Sequence, residues 1–594
     1  MPFDGMVLAA VRKELAEILT GCRIDKIYQP AREEVHLILN RPGKRYRLLL
    51  SADPGMARVH LTNRAGENPP SPPVFCMVLR KHLEGGRITG FSQPGYDRVL
   101  TISVDTRDDL GGSSSKQVIC EIMGRHSNII LYDPDSGTIL DGIKRYSHAV
   151  SRHREVLPGR PYVPAPAQEK INPLSLSEEE FFGLMLQNNL NSRVSDLVQR
   201  LFDGLSPLLA REIVWRAGLE PGTALDTCGE FDLTSVYLVL KDIYSRAEKG
   251  QFEPTLVYDG GVPRDFSAFA LTHFKDSRQA AGSMNEIADS YFTHRALAGR
   301  VDSLRQSILS HIKKETARLS KKLSAQTADL ESAAGAEDLK LYGELVKANI
   351  HRLKKGDTAV YLENFFAEGC PPVKIDLDPR LTPAENAQHF FRQYAKAKKI
   401  LENAALHAQN TGEELDYLAG VESSAEMAST LEELEQIRSE LTDQGYLKPA
   451  GPRPVKQKEP QPPRPAAYVS SDGMTVFVGK NNRQNDYLTM KMARQEDIWL
   501  HTRQTPGAHV VIRTGGREVP PSTLEEAAKL AALFSRARHS SKVPVDYTLR
   551  KFVSKPRGAK PGFVIYTGQK TIFIDPDRSL PERLAPKQGA SQQP

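Results

Sequence analysis

Two short stretches in the first quarter of the chain hold side chains that could bind nucleic acid. Asp97 and Arg98 stand where a predicted loop enters a predicted strand, just after a Pro-Gly chain breaker. The guanidinium of such a pair can donate to a phosphate or a base edge while the carboxylate orients it. The second stretch, residues 121–128, joins two predicted strands through a glycine turn. A surface ion pair or a turn hydrogen bond would also explain the Asp-Arg pair, and the spacing alone favours that structural role.

A second group of candidate side chains lies towards the C-terminus. Residues 479–489 are polar, with hydrogen-bond donors at nearly every position, and suit a loop that contacts RNA backbone or bases. Trp499 and His501 could supply stacking surfaces, although a tryptophan in a strand more often lies in a core. Basic residues then alternate with aromatic ones, which favours RNA over an acidic protein as the partner. The candidate RNA-contacting residues are Asn481, Asn482, Arg483, Asn485, Trp499, His501, His509, Arg550, Lys551 and Lys555.

The sequence shows no pattern typical of a catalytic or metal site. It contains no phosphate-binding P-loop, no dinucleotide-binding glycine pattern after a strand and no nucleophile elbow. His501 and His509 have no carboxylate or thiol at ligand spacing, and His148 and His153 are no better placed. The five cysteines are far apart, which argues against a disulfide framework and a cysteine zinc site. We therefore predict no catalytic residue, no metal and no cofactor.

Length and composition indicate several domains and a cytoplasmic protein. The chain has 594 residues, 26% of them charged, and no apolar run approaches 18 residues, so no membrane span is expected. The N-terminus lacks the basic and apolar regions of a signal peptide. The net charge is +6, but residues 467–594 hold 20 Lys and Arg against 11 Asp and Glu. A basic excess at one end is typical of a surface that meets phosphates, and also of a solvated basic face.

The candidate residues of the first stretch belong to a mixed α/β domain, predicted over residues 1–165. An amphipathic helix is predicted over 3–19 and a second helix over 75–83. Alternation of apolar and polar residues predicts strands in a half-solvated antiparallel sheet, at 22–28, 35–39, 45–50, 58–61, 97–104, 116–122 and 127–132.

A mainly helical region is predicted over residues 166–280. Helices over 194–202 and 208–217 flank a turn that contains Gly204, with Ser206 as a natural cap. A glycine turn at a helix N-terminus can offer backbone N–H groups to phosphate, but a plain helical hairpin fits the pattern equally well. Strands are predicted at 252–258 and 266–270.

Residues 281–447 predict an antiparallel coiled-coil hairpin with a small β-rich tip. Apolar residues recur at spacings of three and four from Val301 onwards, with Lys and Glu between them. Thr382, Pro383 and Glu385 form a capping-box pattern that starts the returning helix. A helix of about 50 residues would span about 75 Å, which suits an arm rather than a core element. A Pro-rich linker is predicted over 448–466, a further domain over 467–580 and a disordered tail over 581–594.

Taken together, these motifs resemble the NFACT family. The start Phe3-Asp4-Gly5, the Asp97-Arg98 pair and residues 121–129 are similar to its N-terminal domain, whose fold is shared with formamidopyrimidine-DNA glycosylases. Residues 191–219 resemble its helix-hairpin-helix region, residues 377–396 its coiled-coil insertion and residues 479–512 its C-terminal RNA-binding domain. The resemblance covers essentially the whole chain in the expected order. It implies a multidomain α+β protein with a long antiparallel coiled-coil hairpin and a C-terminal α+β RNA-binding domain.

The resemblance also implies a function in ribosome-associated quality control. Such a factor binds large ribosomal subunits that still hold peptidyl-tRNA, recruits tRNA, in bacteria typically tRNA-Ala, and supports template-free addition of alanine to the stalled chain. The ribosome would form the peptide bonds, so the factor itself needs no catalytic residues. Ribosomal RNA and a small RNA-binding protein are further expected partners. The residues to which the resemblance assigns tRNA binding are Asp97, Arg98, Glu121, Ile122 and Met123.

Two alternatives come from the same resemblance. Some members were once named for fibronectin binding, which suggests a surface adhesin, but no signal peptide, anchor or repeat supports this function. The related glycosylases use an N-terminal proline as the nucleophile, and this chain has Pro2. Phe3, however, stands where the glycosylases have a glutamate, and these cysteines cannot form their zinc finger.

Overall fold

A computed structural model describes residues 3–107, 112–149, 154–166, 169–275, 277–332, 335–448 and 463–585. The chain divides into two units, residues 1–297 and 298–594. Pro2, His153, most of the predicted linker 448–466 and residues 586–594 of the predicted tail lie outside the described ranges. Within those ranges, no helix has both the length and the apolar character needed to cross a membrane.

The first unit begins with the predicted antiparallel sheet. It has nine strands in the order β4-β3-β2-β1-β5-β6-β7-β8-β9. All seven strands predicted for this domain are confirmed within a few residues, as β1–β4 and β6–β8, whereas β5 and β9 were not predicted. The strands are β1 Arg23–Ala31, β2 Glu34–Arg41, β3 Lys44–Ser51, β4 Arg58–Leu61, β5 Arg87–Ser92, β6 Val99–Arg107, β7 Ser113–Glu121, β8 Asn128–Asp133 and β9 Thr138–Gly142.

Two helices pack on this sheet, α1 Gly5–Leu19 and α2 Val74–Leu83. Asp4 is the N-cap of α1, and its carboxylate accepts a hydrogen bond of 2.9 Å from Val7 N. The first two turns of α1 are buried on every side, so the helix is less amphipathic than its sequence predicts. The start of the chain is therefore part of the core.

The same hydrophobic core continues into the helical part of the first unit. A turn that contains Gly204 joins two of its helices, and the Ser206 hydroxyl accepts a hydrogen bond from Leu209 N, as the predicted cap requires. The strands form a three-stranded antiparallel sheet in the order β11-β10-β12. The elements are α3 Glu178–Leu186, α4 Val194–Leu201, α5 Pro207–Arg216, α6 Glu230–Glu248, β10 Thr255–Asp259, β11 Val262–Ser267 and β12 Gln279–Ala281.

Long helices dominate the start of the second unit. Helix α7 Met284–Ser332 contains the division at 297 and has 49 residues, or about 74 Å of helix. The predicted capping box is present at the start of α9, where Thr382 and Glu385 bond reciprocally. Strands β13 and β14 pair antiparallel between the helices, at the predicted β-rich segment. The remaining elements are α8 Ala336–Ala348, β13 Ala359–Glu363, β14 Pro372–Asp376, α9 Pro383–Met427 and α10 Leu431–Asp443.

A stripe of apolar residues holds the long helices together. Ile308 and Leu319 of α7 are buried in one cluster with Leu418 of α9 and Leu434 and Leu441 of α10. A separate small core lies where α8 and α9 meet the β13–β14 pair. The apolar spacing recognised in the sequence thus marks the buried face of these helices.

The C-terminal part of the second unit is a six-stranded antiparallel sheet covered by a helix. Its strand order is β15-β16-β18-β17-β19-β22, and β20 pairs with β21 in a separate ribbon. The elements are β15 Ala466–Val469, β16 Thr475–Val478, α11 Asn482–Tyr487, β17 Ile498–Thr502, β18 Val510–Ile512, α12 Pro521–Leu533, β19 Val543–Leu549, β20 Val553–Ser554, β21 Ile565–Tyr566, β22 Lys570–Ile574 and α13 Leu580–Arg583.

The polar run 479–489 differs from the prediction of a loop. It forms α11 followed by a π-helical turn at Leu488–Met492. The Asn481 carboxamide accepts a hydrogen bond of 2.9 Å from Gln484 N and so caps the helix. Asparagine is a strong N-cap residue, and here its capping role outweighs the loop propensity of the surrounding polar residues.

Candidate nucleic-acid interface

The two motifs of the first unit lie at one end of neighbouring strands β6 and β7. Val99 pairs with Glu121 in this ladder, and Ile122 N donates a hydrogen bond of 2.8 Å to Arg98 O. The Asp97-Arg98 pair and the segment from Glu121 to Met123 are therefore adjacent in space, although more than twenty residues separate them in sequence.

Asp97 shapes the backbone at this point rather than gripping the neighbouring guanidinium. Its carboxylate accepts a hydrogen bond of 2.7 Å from Arg98 N. The Gln93 carboxamide donates to Asp97 O at 2.9 Å and to Gly5 O at 3.0 Å, which fixes the turn to the start of α1. Within the described ranges, the half-buried Arg98 guanidinium forms no hydrogen bond or ion pair. Its donors remain available to an acceptor outside the protein.

Lys170 adds a second cation near Arg98. Its ammonium donates to Gln199 O at 2.7 Å, and burial together with the charge of Arg98 lowers the pKa of Lys170. No local pattern singles out Lys170, because more than seventy residues separate it from Arg98. The two cations add positive charge at this end of the sheet, where the Asp97 and Asp203 carboxylates also lie.

Glu121 is a buried structural anchor in this arrangement. Its side chain is 1% exposed, and both carboxylate oxygens accept hydrogen bonds of 2.6 Å from the Arg154 guanidinium. Tyr162 donates a third hydrogen bond, of 3.0 Å. Burial alone would lower the pKa of Arg154, but the bonded Glu121 carboxylate holds that pKa above its ordinary value.

Only one of the three residues of the Glu-Ile-Met segment reaches the surface. Ile122 is buried like Glu121, whereas Met123 is half-buried. The exposed side chains of this turn belong to Arg125 and His126, where Arg125 Nε donates to His126 Nε2 at 2.9 Å. The sequence did not single these two out, although basic residues directly after a glycine turn were a usable signal.

The turn between α4 and α5 is bonded into the same place. The Asp4 carboxylate accepts a hydrogen bond of 3.1 Å from Ser206 N, and burial raises the pKa of Asp4. Tyr96 N donates to the Asp203 carboxylate at 2.9 Å. The start of the chain, the turn before Arg98 and the helical turn therefore form one hydrogen-bonded junction.

The hydrogen bonds of the α4–α5 turn argue against the prediction that its backbone amides bind phosphate. Ser206 N already donates to Asp4, and Leu209 N already donates to the Ser206 hydroxyl. These two amides are satisfied within the protein. The structure favours the alternative of a plain helical hairpin that positions the neighbouring loop.

Gly204 permits the close approach of this turn. Its φ is +74°, and a Cβ built on it would lie 2.5 Å from Tyr96 Cβ. Replacing Gly204 with alanine is expected to destabilise the junction by about 2–5 kcal/mol, because left-handed strain adds to a steric overlap. Hydrogen exchange with mass spectrometry should show faster opening of residues 3–19 and 194–216.

A matched control exists on the β8–β9 turn. Gly137 has a φ of +68°, and a Cβ there would meet nothing within 4 Å. Gly137→Ala therefore introduces left-handed backbone strain without a steric overlap, and it should destabilise the protein by about 1–2 kcal/mol. Equal protection losses at residues 3–19 in both variants would contradict the proposed packing role of Gly204.

Of the two residues expected to stack on RNA, Trp499 lies in the C-terminal core and His501 is half-buried beside it. Trp499 is fully buried, with its ring centroid 4.9 Å from that of Tyr566 and 5.8 Å from that of His501. His509 is also buried, and its Nδ1 lies 2.7 Å from the Thr489 hydroxyl. Burial lowers the pKa of both histidines, that of His501 to about 4. His509 is thus a core residue, whereas His501 is half-buried, and the fully buried Trp499 has no open face for a base.

The polar residues at the start of α11 bond to helix α10. Lys480 pairs with Glu433 at 3.2 Å, and Arg483 pairs with Asp443. Asn481 and Asn482 donate hydrogen bonds of 3.0 Å to Gln436 and Glu440. The four acceptors are spaced by three or four residues, so they share one face of α10. This acceptor row of α10 occupies donors that the sequence assigned to RNA, while Asn485 is buried and donates to Gly507 O.

Three further basic candidates are Arg550, Lys551 and Lys555. Among them, only Lys551 is exposed and forms no hydrogen bond or ion pair with a residue that the structure describes. Arg550 donates to Thr489 O and to Val553 O, and Lys555 pairs with Asp486. Lys551 is exposed, and its Nζ lies 5.0 Å from the centroid of the Phe552 ring. The structure thus leaves Lys551 as the accessible member of this set.

No metal site accompanies these residues. In the ranges that the structure covers, no three His, Cys, Asp or Glu side chains are grouped closely enough to hold a metal ion. The ring centroids of the half-buried His501 and the buried His509 are 5.4 Å apart.

Comparison with known proteins places the chain among characterised relatives. Residues 4–460 match the NFACT N-terminal and middle domains, and residues 464–572 match the NFACT protein RNA binding domain. The Rqc2 homolog RqcH of Bacillus subtilis is 39% identical over 577 residues, which cover 97% of this chain and 98% of that protein. The Rqc2 homolog RqcH of Streptococcus pneumoniae serotype 2 is 34% identical over 97% of this chain and 98% of its own length.

A solved structure is also similar in part. The fibrinogen binding protein from Staphylococcus aureus is 29% identical, and the match covers 49% of this chain and 99% of that one. Its TM-score is 0.41, too low to support a statement about function. The family models, by contrast, together match the chain from residue 4 to residue 572, with a gap of three residues. The chain is a member of the NFACT family.

Proposed function

We propose that this protein is a ribosome-associated quality control factor. It would bind large ribosomal subunits that retain peptidyl-tRNA, recruit tRNA, and support template-free extension of the stalled chain. The observation that carries the proposal is the end-to-end similarity to RqcH, at 39% identity over 97% of the chain. The match of residues 464–572 to an RNA-binding domain supports RNA as the ligand.

The free guanidinium at the end of β6 supports the assignment of tRNA binding to the first unit. Arg98, with Lys170 nearby, would contact the phosphate backbone, and Met123 would contact the tRNA through its exposed part. Glu121 and Ile122 are buried, so they would act by holding the turn in place. This changes their proposed role from contact residues to positioning residues.

We assign the remaining domains the functions that their counterparts have in the family. We propose domains at 1–165, 166–280, 281–447 and 467–580, with a helix-hairpin-helix region as the second and a coiled-coil arm as the third. The arm would reach across the ribosomal subunit in the cytoplasm. The ribosome would form each peptide bond, with tRNA-Ala as the proposed substrate and alanine as the added residue.

Sequencing of the RNA that co-purifies with the tagged full-length chain tests this function. We expect enrichment of one tRNA family together with large-subunit rRNA, relative to a mock purification. The identity of that tRNA family names the amino acid that is added. Recovery of no RNA above background would overturn the proposal.

A further inference from the structure

The β20–β21 ribbon of the C-terminal region has one buried and one exposed face. Val553 is 2% exposed and pairs with Tyr566, whose ring packs against Trp499. Ser554 pairs with Ile565 on the opposite face, because side chains alternate along a strand. The ribbon is thus anchored by its inner face and presents its outer face to solvent.

Large apolar side chains remain uncovered on and beside the outer face. Phe552 is 44% exposed, Phe563 is 51% exposed and Ile565 is 53% exposed. Phe552 directly precedes β20 and lies opposite Thr567, whose N–H donates to Phe552 O. A group of large exposed apolar side chains on one short ribbon marks a candidate ligand-binding surface.

Exposed cations stand beside the ribbon along the chain, and the Nζ of Lys551 lies 5.0 Å from the centroid of the Phe552 ring. Lys551, Arg557 and Lys570 are exposed, and none of the three side chains forms a hydrogen bond or ion pair with a residue that the structure describes. Lys555 and Lys560 differ, because Asp486 and the Tyr446 hydroxyl accept from them. Lys555 and Lys560 therefore stabilise the fold, whereas Lys551, Arg557 and Lys570 remain available to a ligand.

One neighbouring segment adds further charge of both signs. Lys551 N donates a hydrogen bond of 3.2 Å to Gln495 O, which brings residues 494–496 close to the patch. Arg494 and Glu496 are both exposed there and offset each other. The three unpaired cations therefore set the sign of the surface, and the fitting ligand carries negative charge.

We propose that Phe552, Phe563 and Ile565, with Lys551, Arg557 and Lys570, form a binding site for unpaired nucleotides of RNA. This phenylalanine patch would stack bases on its rings and hold phosphates with its cations. A duplex keeps its base faces stacked internally, so it would use the cations but not the rings. The inference rests on the proposed function only in taking RNA as the ligand.

The test compares single-stranded and double-stranded RNA on the full-length chain. Fluorescence anisotropy would use a labelled 12-nucleotide oligouridine and a 12-base-pair RNA duplex. Phe552→Ala/Phe563→Ala is expected to weaken oligouridine binding about 10-fold or more, because each stacked base depends on an aromatic face. Duplex binding should change less than about 2-fold.

Two further variants sharpen the result. Phe231→Ala removes a phenyl ring that is 82% exposed in the first unit, and it should leave oligouridine binding unchanged. Lys551→Gln/Arg557→Gln/Lys570→Gln should reduce the slope of log affinity against log salt by about 2, since about 0.7 is lost per phosphate contact. Unchanged unfolding midpoints are expected for all three variants, because the replaced side chains are exposed.

Two outcomes would contradict the proposal that the phenylalanine patch binds unpaired nucleotides. One is oligouridine affinity that Phe552→Ala/Phe563→Ala leaves unchanged, and the other is an equal loss for the duplex. The proposed function fails separately, if the wild-type chain recovers neither tRNA nor large-subunit rRNA from cells. A wild-type chain that binds neither oligonucleotide, but captures an acidic protein through the patch, would replace RNA by protein as the ligand and also overturn the inference.

Discussion

Replacing Asp97 and Arg98 together with alanine is expected to weaken tRNA recruitment strongly while leaving binding to large ribosomal subunits largely intact. The substitution removes a guanidinium that makes no bond within the described structure, and it removes the carboxylate that shapes the turn through Arg98 N. A charge-assisted hydrogen bond contributes about 1.5–3 kcal/mol, so tRNA affinity should fall about 10- to 100-fold. Mass spectrometry of a stalled reporter chain measures tailing, and co-purification of tRNA with the variant measures recruitment.

The same unit offers a matched control. Asp259 and Arg264 form an exposed ion pair of 3.2 Å on the β10–β11 hairpin, away from the junction residues in sequence. Asp259→Ala/Arg264→Ala removes the same two residue types and should leave tailing and tRNA recovery unchanged. If the Asp97 and Arg98 variant lost subunit binding but kept tRNA, the proposed assignment of roles would be wrong.

The second large effect is expected at Glu121. Glu121→Ala would leave the buried Arg154 guanidinium without its carboxylate, and breaking a buried pair from one side costs about 3–5 kcal/mol. The first unit should then unfold at a temperature lower by roughly 10 °C. Differential scanning calorimetry of the full-length variant and of the wild-type chain measures this shift.

A double variant separates positioning from contact. Glu121→Ala/Arg154→Met removes both charges, and replacement of a buried ion pair by apolar groups is often close to neutral. If Glu121 only positions the turn, the double variant should regain most of the lost stability and recruit tRNA again. A stable double variant that recruits no tRNA would show instead that Glu121 or Arg154 contacts the tRNA.

Local patterns predicted much of the fold. The alternation in β6, with Leu100, Ile102 and Val104 directed inwards, identified a strand because one side of the sheet is solvated. The Thr382 capping box identified the start of α9 because all its bonds are made within four residues. Strand β9 was missed because Thr138–Gly142 is short and ends in glycine.

The candidate sites depended on contacts that no local pattern contains. The sequence presents Asn481 and Asn482 as donors, but their acceptors Gln436 and Glu440 stand more than forty residues earlier. Likewise, the Asp203 carboxylate that orients Tyr96 is separated from it by 107 residues. The roles of Asp97, Arg98 and Met123 in tRNA binding stay predictions, as does the RNA contact of Lys551.

The acceptor row of α10 binds the start of α11, and this association is intramolecular. Residues 444–481 join the two helices, so each helix meets the other at an effective concentration on the order of millimolar without any partner in solution. Bonds such as Lys480 to Glu433, which would be too weak between separate molecules, then suffice to keep the helices together. The entropy of closing such a loop grows slowly, by about 0.6 kcal/mol for each doubling of length. Insertions in the predicted linker, before β15 begins at Ala466, should therefore cost little, whereas loss of the donors at the start of α11 would release the association.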